Sequence, residues 1–235
     1  MSQAPGARRG RPRHVPTTSG ADARGEILDA AARLFVEHGY AGTSTRMIAE
    51  EVGIRQASLY YHYATKDDLL EDLLSASVRP SLEALRRLSG ASLGRRDAPS
   101  ALYALALADV RTLCETRHNV GLLYQLPEVR TPRFDDFRAE RDELRAAYAS
   151  LGAAVTGARP GTASSERLGQ ILLQLVETVI QVRLERTPDA FDTRLIAECC
   201  LRVCGCSPEE IRQAAAAAAD LLPEVAASSP TADRA

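Results

Sequence analysis

Residues 43–66 have the sequence TSTRMIAEEVGIRQASLYYHYATK and predict two short helices joined by a tight turn. The first helix is expected over residues 45–52, because its apolar residues recur at helical spacing. Gly53 supplies the left-handed backbone that a tight exit from this helix requires. The second helix is expected over residues 56–62, so that only three residues separate the two.

A helix on each side completes this unit. Apolar residues at helical spacing predict a preceding helix that ends at Gly39, and Thr65 has the character of the N-cap of a fourth helix. Two short helices on such a turn form a helix-turn-helix, whose second helix enters the major groove of DNA. We therefore expect a DNA-binding domain over residues 21–66, preceded by a flexible basic arm at residues 1–20.

The remainder of the chain also has helical spacing and lacks the alternating pattern of strands, so we expect an all-α protein. Further helices are expected over residues 102–114, 120–125, 134–155, 164–186, 191–203 and 208–222. Pro80 is expected to kink or end the fourth helix. Residues 67–222 should form a larger helical domain, followed by a disordered tail at 223–235.

Composition limits the class of protein. The formal net charge is -2, but residues 1–66 carry +3 and residues 67–235 carry -5. This uneven distribution suggests that the two parts of the chain have different functions. The chain has neither a run of about 18 apolar residues nor a secretory signal, so we expect a cytoplasmic protein without membrane contact. Five cysteines in a chain of this length predict no structural disulfide. Enzyme motifs such as a phosphate loop, a nucleophile elbow or a paired-histidine metal site are absent, and we expect no enzyme activity, cofactor or metal.

The segments TSTRMIA (43–49), VGI (52–54) and QASLYYHYATK (56–66) resemble the signature of the tetracycline-repressor family, and the resemblance extends from Ile27 to Leu70. It implies an N-terminal helix-turn-helix domain and a C-terminal domain for effector binding and dimerisation. It also implies a homodimeric repressor that binds a palindromic operator in double-stranded DNA and is released by a small-molecule inducer. Transcriptional activation by the same fold remains an alternative, because the position of the operator is not encoded in this chain.

The resemblance places Arg46 and Gln56 where family members contact base edges. Arginine can donate two hydrogen bonds to the edge of guanine, and glutamine can form a pair of hydrogen bonds with adenine. The other expected DNA contacts, mostly donors suited to phosphates, are Thr43, Thr45, Arg55, Ala57, Ser58, Tyr60, Tyr61, His62 and Lys66.

Three positions depart from the family pattern. Val52 replaces a small residue, Tyr63 replaces phenylalanine, and Arg55 replaces a serine cap. Loss of that cap costs about 1 kcal/mol, but the arginine adds a cation beside the groove. Arg9 and Arg11 are a further candidate contact, because two arginines in the sequence RGRP can lie in the narrow minor groove of A·T-rich DNA. A solvated tail is the alternative for this segment.

Two features of the larger domain suggest further interfaces. The helices over 164–186 and 191–203 match the dimer seam of the family, although the same apolar residues could fill the core of the subunit. The expected interface residues are Leu168, Ile171, Leu172, Leu175, Val179, Leu195 and Ile196. A polar stripe on the first of these helices is either a solvated face or the polar anchor of a ligand cavity. The expected ligand-binding residues are Tyr103, Asn119, Tyr124, Phe134, Phe137, Gln174 and Glu177.

A cysteine cluster, Cys199, Cys200, Cys204 and Cys206, leaves two interpretations open. Redox or metal sensing is one alternative function of the chain. Buried apolar thiols are the other reading, and the spacing matches no standard zinc pattern.

Overall fold

The structure is a computed structural model that describes residues 20–90 and 97–221 of the 235-residue chain. The expected arm contacts Arg9 and Arg11, and the tail at 223–235, lie outside the described residues. Within the described ranges the protein contains α-helices and short 3-10 segments without any β-strand, which confirms the all-α expectation.

The nine α-helices of the described ranges follow one another along the chain. They are α1 (Gly20–His38), α2 (Thr45–Val52), α3 (Gln56–His62), α4 (Lys66–Gly90), α5 (Ala98–Glu115), α6 (Asp135–Thr156), α7 (Ala163–Glu185), α8 (Ala190–Val203) and α9 (Pro208–Leu221). Three 3-10 segments, Val120–Gln125, Pro127–Arg130 and Pro132–Phe134, connect α5 to α6. No helix in these ranges is both long enough and apolar enough to cross a membrane.

Helices α1 to α3 form a small unit, here called the head, around a compact apolar core. Ile27 and Phe35 of α1, Ile48 of α2 and Leu59 of α3 are buried almost completely. Burying such side chains contributes about 1.5–3 kcal/mol each, which is what holds two helices as short as α2 and α3 in place.

Helix α4 connects the head to the remaining helices, here called the body. Its start is capped as expected, because the Thr65 and Asp68 side chains each accept a hydrogen bond from the backbone N–H of the other residue. Asp72, one turn further on, accepts hydrogen bonds from Arg24 and Tyr63 of the head. The first two turns of α4 are therefore tied to the head.

The expectation that Pro80 could end α4 is wrong, because the helix continues without interruption to Gly90. Proline removes one helical N–H, and the carbonyl left without a donor is that of Ala76, four residues earlier. Both Ala76 and Pro80 are exposed, so water can hydrate this carbonyl. The buried Ser77 and Ser81, which face the body, hold the helix on the body across this position.

Helix α5 lies at the centre of the body and contacts α4, α6, α7, α8 and α9. It can do so because small residues such as Ala101, Ala104 and Ala106 are fully buried on its surface and allow neighbouring helices to approach. Helices α6 and α7 approach each other closely at Gly169. A Cβ atom added there would lie 2.6 Å from the backbone nitrogen of Ala149.

We predict that Gly169→Ala lowers the free energy of unfolding by about 1–3 kcal/mol, because the added methyl group forces α6 and α7 apart. Gly25→Ala in α1 is the matched control. No atom lies within 4 Å of a Cβ there, and loss of a helical glycine should stabilise the protein by up to about 1 kcal/mol. Denaturant titration of both variants should give opposite signs. A stabilised Gly169→Ala protein would contradict this packing.

Candidate nucleic-acid interface

The turn between α2 and α3 has the geometry that the sequence predicts. Ser44 caps α2 by accepting a hydrogen bond from the Met47 N–H, and Gly53 ends it in the left-handed conformation with φ 77°. Arg55 precedes α3 with extended backbone and makes no capping bond through its side chain, as expected for an arginine in place of a cap. The two helices thus meet at a fixed angle, with α3 on the surface of the head.

Most of α3 faces solvent. Leu59 is its buried anchor, whereas Gln56, Ala57 and Ser58 are exposed. Tyr60 and Tyr61 are 46% and 88% exposed, which is unusual for large aromatic residues in a protein without a partner. The face of α3 opposite its anchor therefore presents side chains that can donate and accept hydrogen bonds but have no core to pack against.

Arg46 of α2 lies on the same surface with 76% of its side chain exposed. Its Nε donates to the Glu50 Oε1 at 2.8 Å, and this hydrogen bond raises the pKa of Arg46. An exposed ion pair of this kind contributes little stability, so a base edge can compete for the guanidinium. Glu50 is a neighbour of the candidate site that sequence reasoning missed, although its i,i+4 spacing from Arg46 could have indicated it.

Three polar groups join the first turn of α2 to α3. The Gln56 Nε2 donates to the Thr45 Oγ1 at 3.0 Å and to the Tyr60 hydroxyl at 3.3 Å. The Thr45 and Tyr60 oxygens are themselves 3.1 Å apart and share a hydrogen bond. Three expected DNA contacts are thus bound to one another on the exposed surface.

Two expected DNA contacts instead hold the interior of the head together. The Thr43 hydroxyl is buried and donates to the carbonyls of Leu34 and Gly39 at the end of α1, so the structure does not place its side chain on the exposed surface. The Lys66 ammonium donates to the carbonyls of Tyr40 and Thr43 at 2.9 and 3.0 Å. It also lies 4.0 Å from the centre of the Tyr40 ring, so a phosphate would have to share this cation.

Ion pairs connect the head to the body. Arg117 and His118, which follow α5, both contact the carboxylate of Asp29 in α1 at 2.6 and 3.0 Å. Arg133, just before α6, pairs with Asp68 and Glu71 in the first turns of α4.

Buried hydrogen bonds fix the second half of α4 to the body. Ser77 shares a hydrogen bond of 2.8 Å with the Tyr124 hydroxyl, and Ser81 donates to Asp109 at 2.7 Å. The Tyr148 hydroxyl donates to the other Asp109 oxygen at 3.1 Å. Burial raises the pKa of Asp109 to about 6, although the two hydroxyl donors partly counter this effect.

Three of the expected ligand-binding residues come together in a surface groove of about 400 Å³ between α7 and the segment Val120–Gln125. Tyr124, Gln174 and Glu177 line it. Glu177 accepts a hydrogen bond from Gln174 and pairs with Arg141 at 2.5 Å, and the Arg141 guanidinium lies 4.5 Å from the centre of the Tyr124 ring.

The other four expected ligand-binding residues lie elsewhere. Phe134 and Phe137 are fully buried, and Phe137 packs behind Tyr124 with 5.6 Å between ring centres. Asn119 is also buried and donates to the Ile180 carbonyl at 2.8 Å. Tyr103 lines a different groove, between α5, α8 and α9. The structure therefore does not bring all seven residues into one cavity.

The expected dimer residues separate into surface and core. Ile171 and Leu195 are 50% and 38% exposed, whereas Leu172 and Val179 are fully buried in the core of the subunit and cannot form its surface. The remaining three, Leu168, Leu175 and Ile196, are half-buried. Sequence reasoning missed the exposed apolar side chains of Leu184, Phe191 and Val203, because α7 and α8 carry apolar residues on more than one face.

Two members of the cysteine cluster, Cys200 and Cys204, are buried thiols with little tendency to ionise. Burial raises the pKa of Cys200 to about 12 and that of Cys204 to about 11. Because the thiolate is the reactive and metal-binding form, this environment disfavours both redox chemistry and metal ligation. Within residues 20–90 and 97–221, no three His, Cys, Asp or Glu side chains are grouped as a metal site.

This fold, with an exposed helix beside a capped turn, defines a helix-turn-helix protein. Comparison with protein families gives a match over residues 27–73 to the family described as bacterial regulatory proteins, tetR family. The crystal structure of AmtR from Mycobacterium smegmatis is 44% identical in sequence, covers 90% of this chain and 98% of its own, and superimposes with a TM-score of 0.76. The chain therefore belongs to the TetR family, which consists of regulatory proteins and not of enzymes.

Other relatives match less of the chain. The transcriptional repressor KstR2 of Mycobacterium tuberculosis is 45% identical over 51 residues, which are 22% of this chain and 26% of that repressor. The chain thus aligns with about a quarter of the length of this curated relative. AibR, whose crystal structure was determined with isovaleryl coenzyme A and operator DNA, is 19% identical over 68% of this chain and 86% of its own, with a TM-score of 0.55. It shares the fold.

We predict that Asp109 makes the stability of the protein depend on pH between about 4 and 6. Its pKa in the folded protein, about 6, exceeds the value near 3.9 of an unfolded chain, so the bound proton stabilises the fold at low pH. This stabilisation is lost as the pH rises through 6. Relative to Asp109→Asn, the free energy of unfolding of the wild-type protein should fall by about 2 kcal/mol between pH 4 and pH 7 in denaturant titrations.

Asp192→Asn is the control, because the contribution of Asp192 to stability should change with pH in the opposite direction. The hydrogen bond from Arg186 lowers the pKa of Asp192 to about 2, so its contribution is present above pH 4 and is lost as the pH falls toward 2. A difference between Asp109→Asn and wild type that stays constant from pH 4 to pH 7 would show that Asp109 does not titrate there.

Proposed function

We propose that the chain is a homodimeric repressor that binds a palindromic operator with α3 of each head and is released by a small-molecule effector. The observation that carries the proposal is the exposed surface formed by α3 and the start of α2. Arg46 and Gln56 lie on it with side chains able to recognise guanine and adenine, respectively. The name of KstR2 as a repressor and the operator complex of AibR support the same conclusion.

Dimer formation is supported by the apolar side chains that remain on α7 and α8. Ile171 and Phe191 are at least half exposed, and isolated monomers rarely leave several such residues on adjacent helices. A single helix-turn-helix contacts few base pairs, so two copies on successive turns of the same groove are needed for specificity. If α7 and α8 of one subunit packed against α7 and α8 of another, the dimer would contain the second helix-turn-helix.

Effector response is supported by the groove beside Tyr124. A molecule in this groove would contact Tyr124, Gln174 and Glu177, and the Tyr124 hydroxyl is bonded directly to Ser77 of α4. Because the first turns of α4 are tied to the head, a shift of Tyr124 would move the head. Release requires that the effector bind more tightly to the shifted state than to the DNA-bound state.

Selection of duplexes from a random pool tests DNA recognition. We predict that wild-type protein enriches a palindrome and that Arg46→Ala relaxes the preference at one base pair in each half-site, at a cost of about 1–3 kcal/mol, while affinity for random duplex is unchanged. Arg145→Ala, which removes an arginine of the body paired with Asp142, is the matched control. Equal losses on operator and random duplex would assign Arg46 to phosphate contact, and failure to enrich any duplex would refute the proposed function.

Sedimentation tests the dimer. We predict that wild-type protein sediments as a dimer and that Ile171→Asp sediments as a monomer, because the new charge would be buried between subunits without a partner. Since Ile171 is half exposed in the subunit, the fold should survive the change. Ala216→Asp on the exposed face of α9 is the control and should remain dimeric. A monomeric wild-type protein, or a dimeric Ile171→Asp protein, would contradict the assignment.

A further inference from the structure

We propose that Thr45 and Tyr60 are positioning residues for Gln56: their hydroxyls hold its amide in the orientation that recognises adenine, and they do not act as a pair of phosphate ligands. This inference rests on the proposed function, because it concerns how the same surface distinguishes bases. The family resemblance alone assigns Thr45 and Tyr60 to phosphates, and the hydrogen bonds among the three side chains lead to a different role.

The geometry of the three groups determines which hydrogens they use. The Gln56 Nε2 and the two hydroxyl oxygens form an almost equilateral triangle with sides of 3.0, 3.3 and 3.1 Å. Seen from Nε2, the two oxygens therefore lie about 60° apart, whereas the two N–H bonds of an amide diverge by about 120°. A single N–H of Gln56 that points between the two oxygens can donate a hydrogen bond to both of them. The carbonyl oxygen and the second N–H of Gln56 remain for another partner.

The hydroxyl groups have correspondingly little capacity left for DNA. Each has one hydrogen and two acceptor sites. Both oxygens accept from Gln56, and one of the two hydroxyl hydrogens forms the bond between Thr45 and Tyr60. Phosphate oxygens can only accept, so they need a donor from the protein. At most one of the two hydroxyls could donate to a phosphate while the triangle is intact.

The groups that remain on Gln56 match one base. Adenine presents the N6 amino group as a donor and N7 as an acceptor in the major groove, and a glutamine pairs with both through its carbonyl and one N–H. An exposed glutamine on its own would lose side-chain freedom when it makes this pair. Because Thr45 and Tyr60 already restrict the amide, less freedom is lost on binding, and the preference for adenine increases.

The first step of the test locates the base pair that depends on Gln56. On the duplex selected by the wild-type protein, Gln56→Ala should abolish the preference for adenine at one position of each half-site, by about tenfold or more. Replacement of that adenine by 7-deazaadenine, which keeps N6 but lacks the N7 acceptor, should weaken wild-type binding and leave Gln56→Ala binding unchanged.

The second step removes the hydroxyls and keeps the shapes of the side chains. Tyr60→Phe and Thr45→Val should each lower the adenine preference at that same position about fivefold, with unchanged affinity for random duplex. Thr187→Val is the matched control, because Thr187 is an exposed residue of the body between α7 and α8 and lies outside the triangle. In the double variant with Gln56→Ala, Tyr60→Phe should cause no further loss of base preference, because it acts through Gln56.

The outcomes distinguish this inference from the proposed function. If Tyr60→Phe and Thr45→Val weaken binding equally on every duplex, the hydroxyls contact phosphates and the inference is overturned while DNA binding stands. A further loss in the double variant, or a selected duplex without a position that depends on Gln56, also overturns it. Failure of wild-type protein to select any duplex refutes the proposed function itself.

Discussion

The attachment of α4 to both the head and the body is the interaction on which the arrangement of this protein depends. Its first turns are held to the head through Asp72, and its second half is held to the body through Ser77 and Ser81. The helix remains continuous across Pro80, so a single α-helix joins the head to the body. These side chains therefore determine the position of α3 relative to the body, although they lie far from the exposed surface of α3.

The buried bonds at the second half of α4 are suited to such a role. A buried hydroxyl or carboxylate without a partner is costly, so Ser77 and Ser81 cannot leave Tyr124 and Asp109 unless other partners replace them. Tyr124 lies between this network and the groove that Gln174 and Glu177 also line, so the groove and α4 share this one side chain.

Local signals made the helix-turn-helix predictable from the sequence. The cap at Ser44, the left-handed Gly53 and the pair Thr65 and Asp68 act within a few residues, and each lies in the structure where its pattern indicates. Helical spacing in the rest of the sequence extended this prediction to an all-α body. Thr43 and Lys66 were less predictable, because the carbonyls that they bind belong to the end of α1 and the loop that follows it.

Contacts between residues distant in sequence explain most of what could not be predicted. Apolar residues occur on several faces of α7, so helical spacing alone did not separate the buried Leu172 and Val179 from the exposed Ile171. The seven expected ligand-binding residues have suitable side-chain chemistry, but only packing shows that Asn119 binds the backbone of Ile180 and that Tyr103 faces another groove. The hydrogen bond of Gln56 with Thr45 likewise connects residues on the two sides of the turn.

The most direct test of the account is the composition of the complex with DNA. The mass of the complex should be measured, by sedimentation or native mass spectrometry, on a selected palindromic duplex and on a duplex that keeps only one half-site. The account predicts two chains on the palindrome, with heads about 34–36 Å apart, and much weaker binding to the single half-site. One chain per duplex, bound equally tightly to the palindrome and to the half-site, would contradict it.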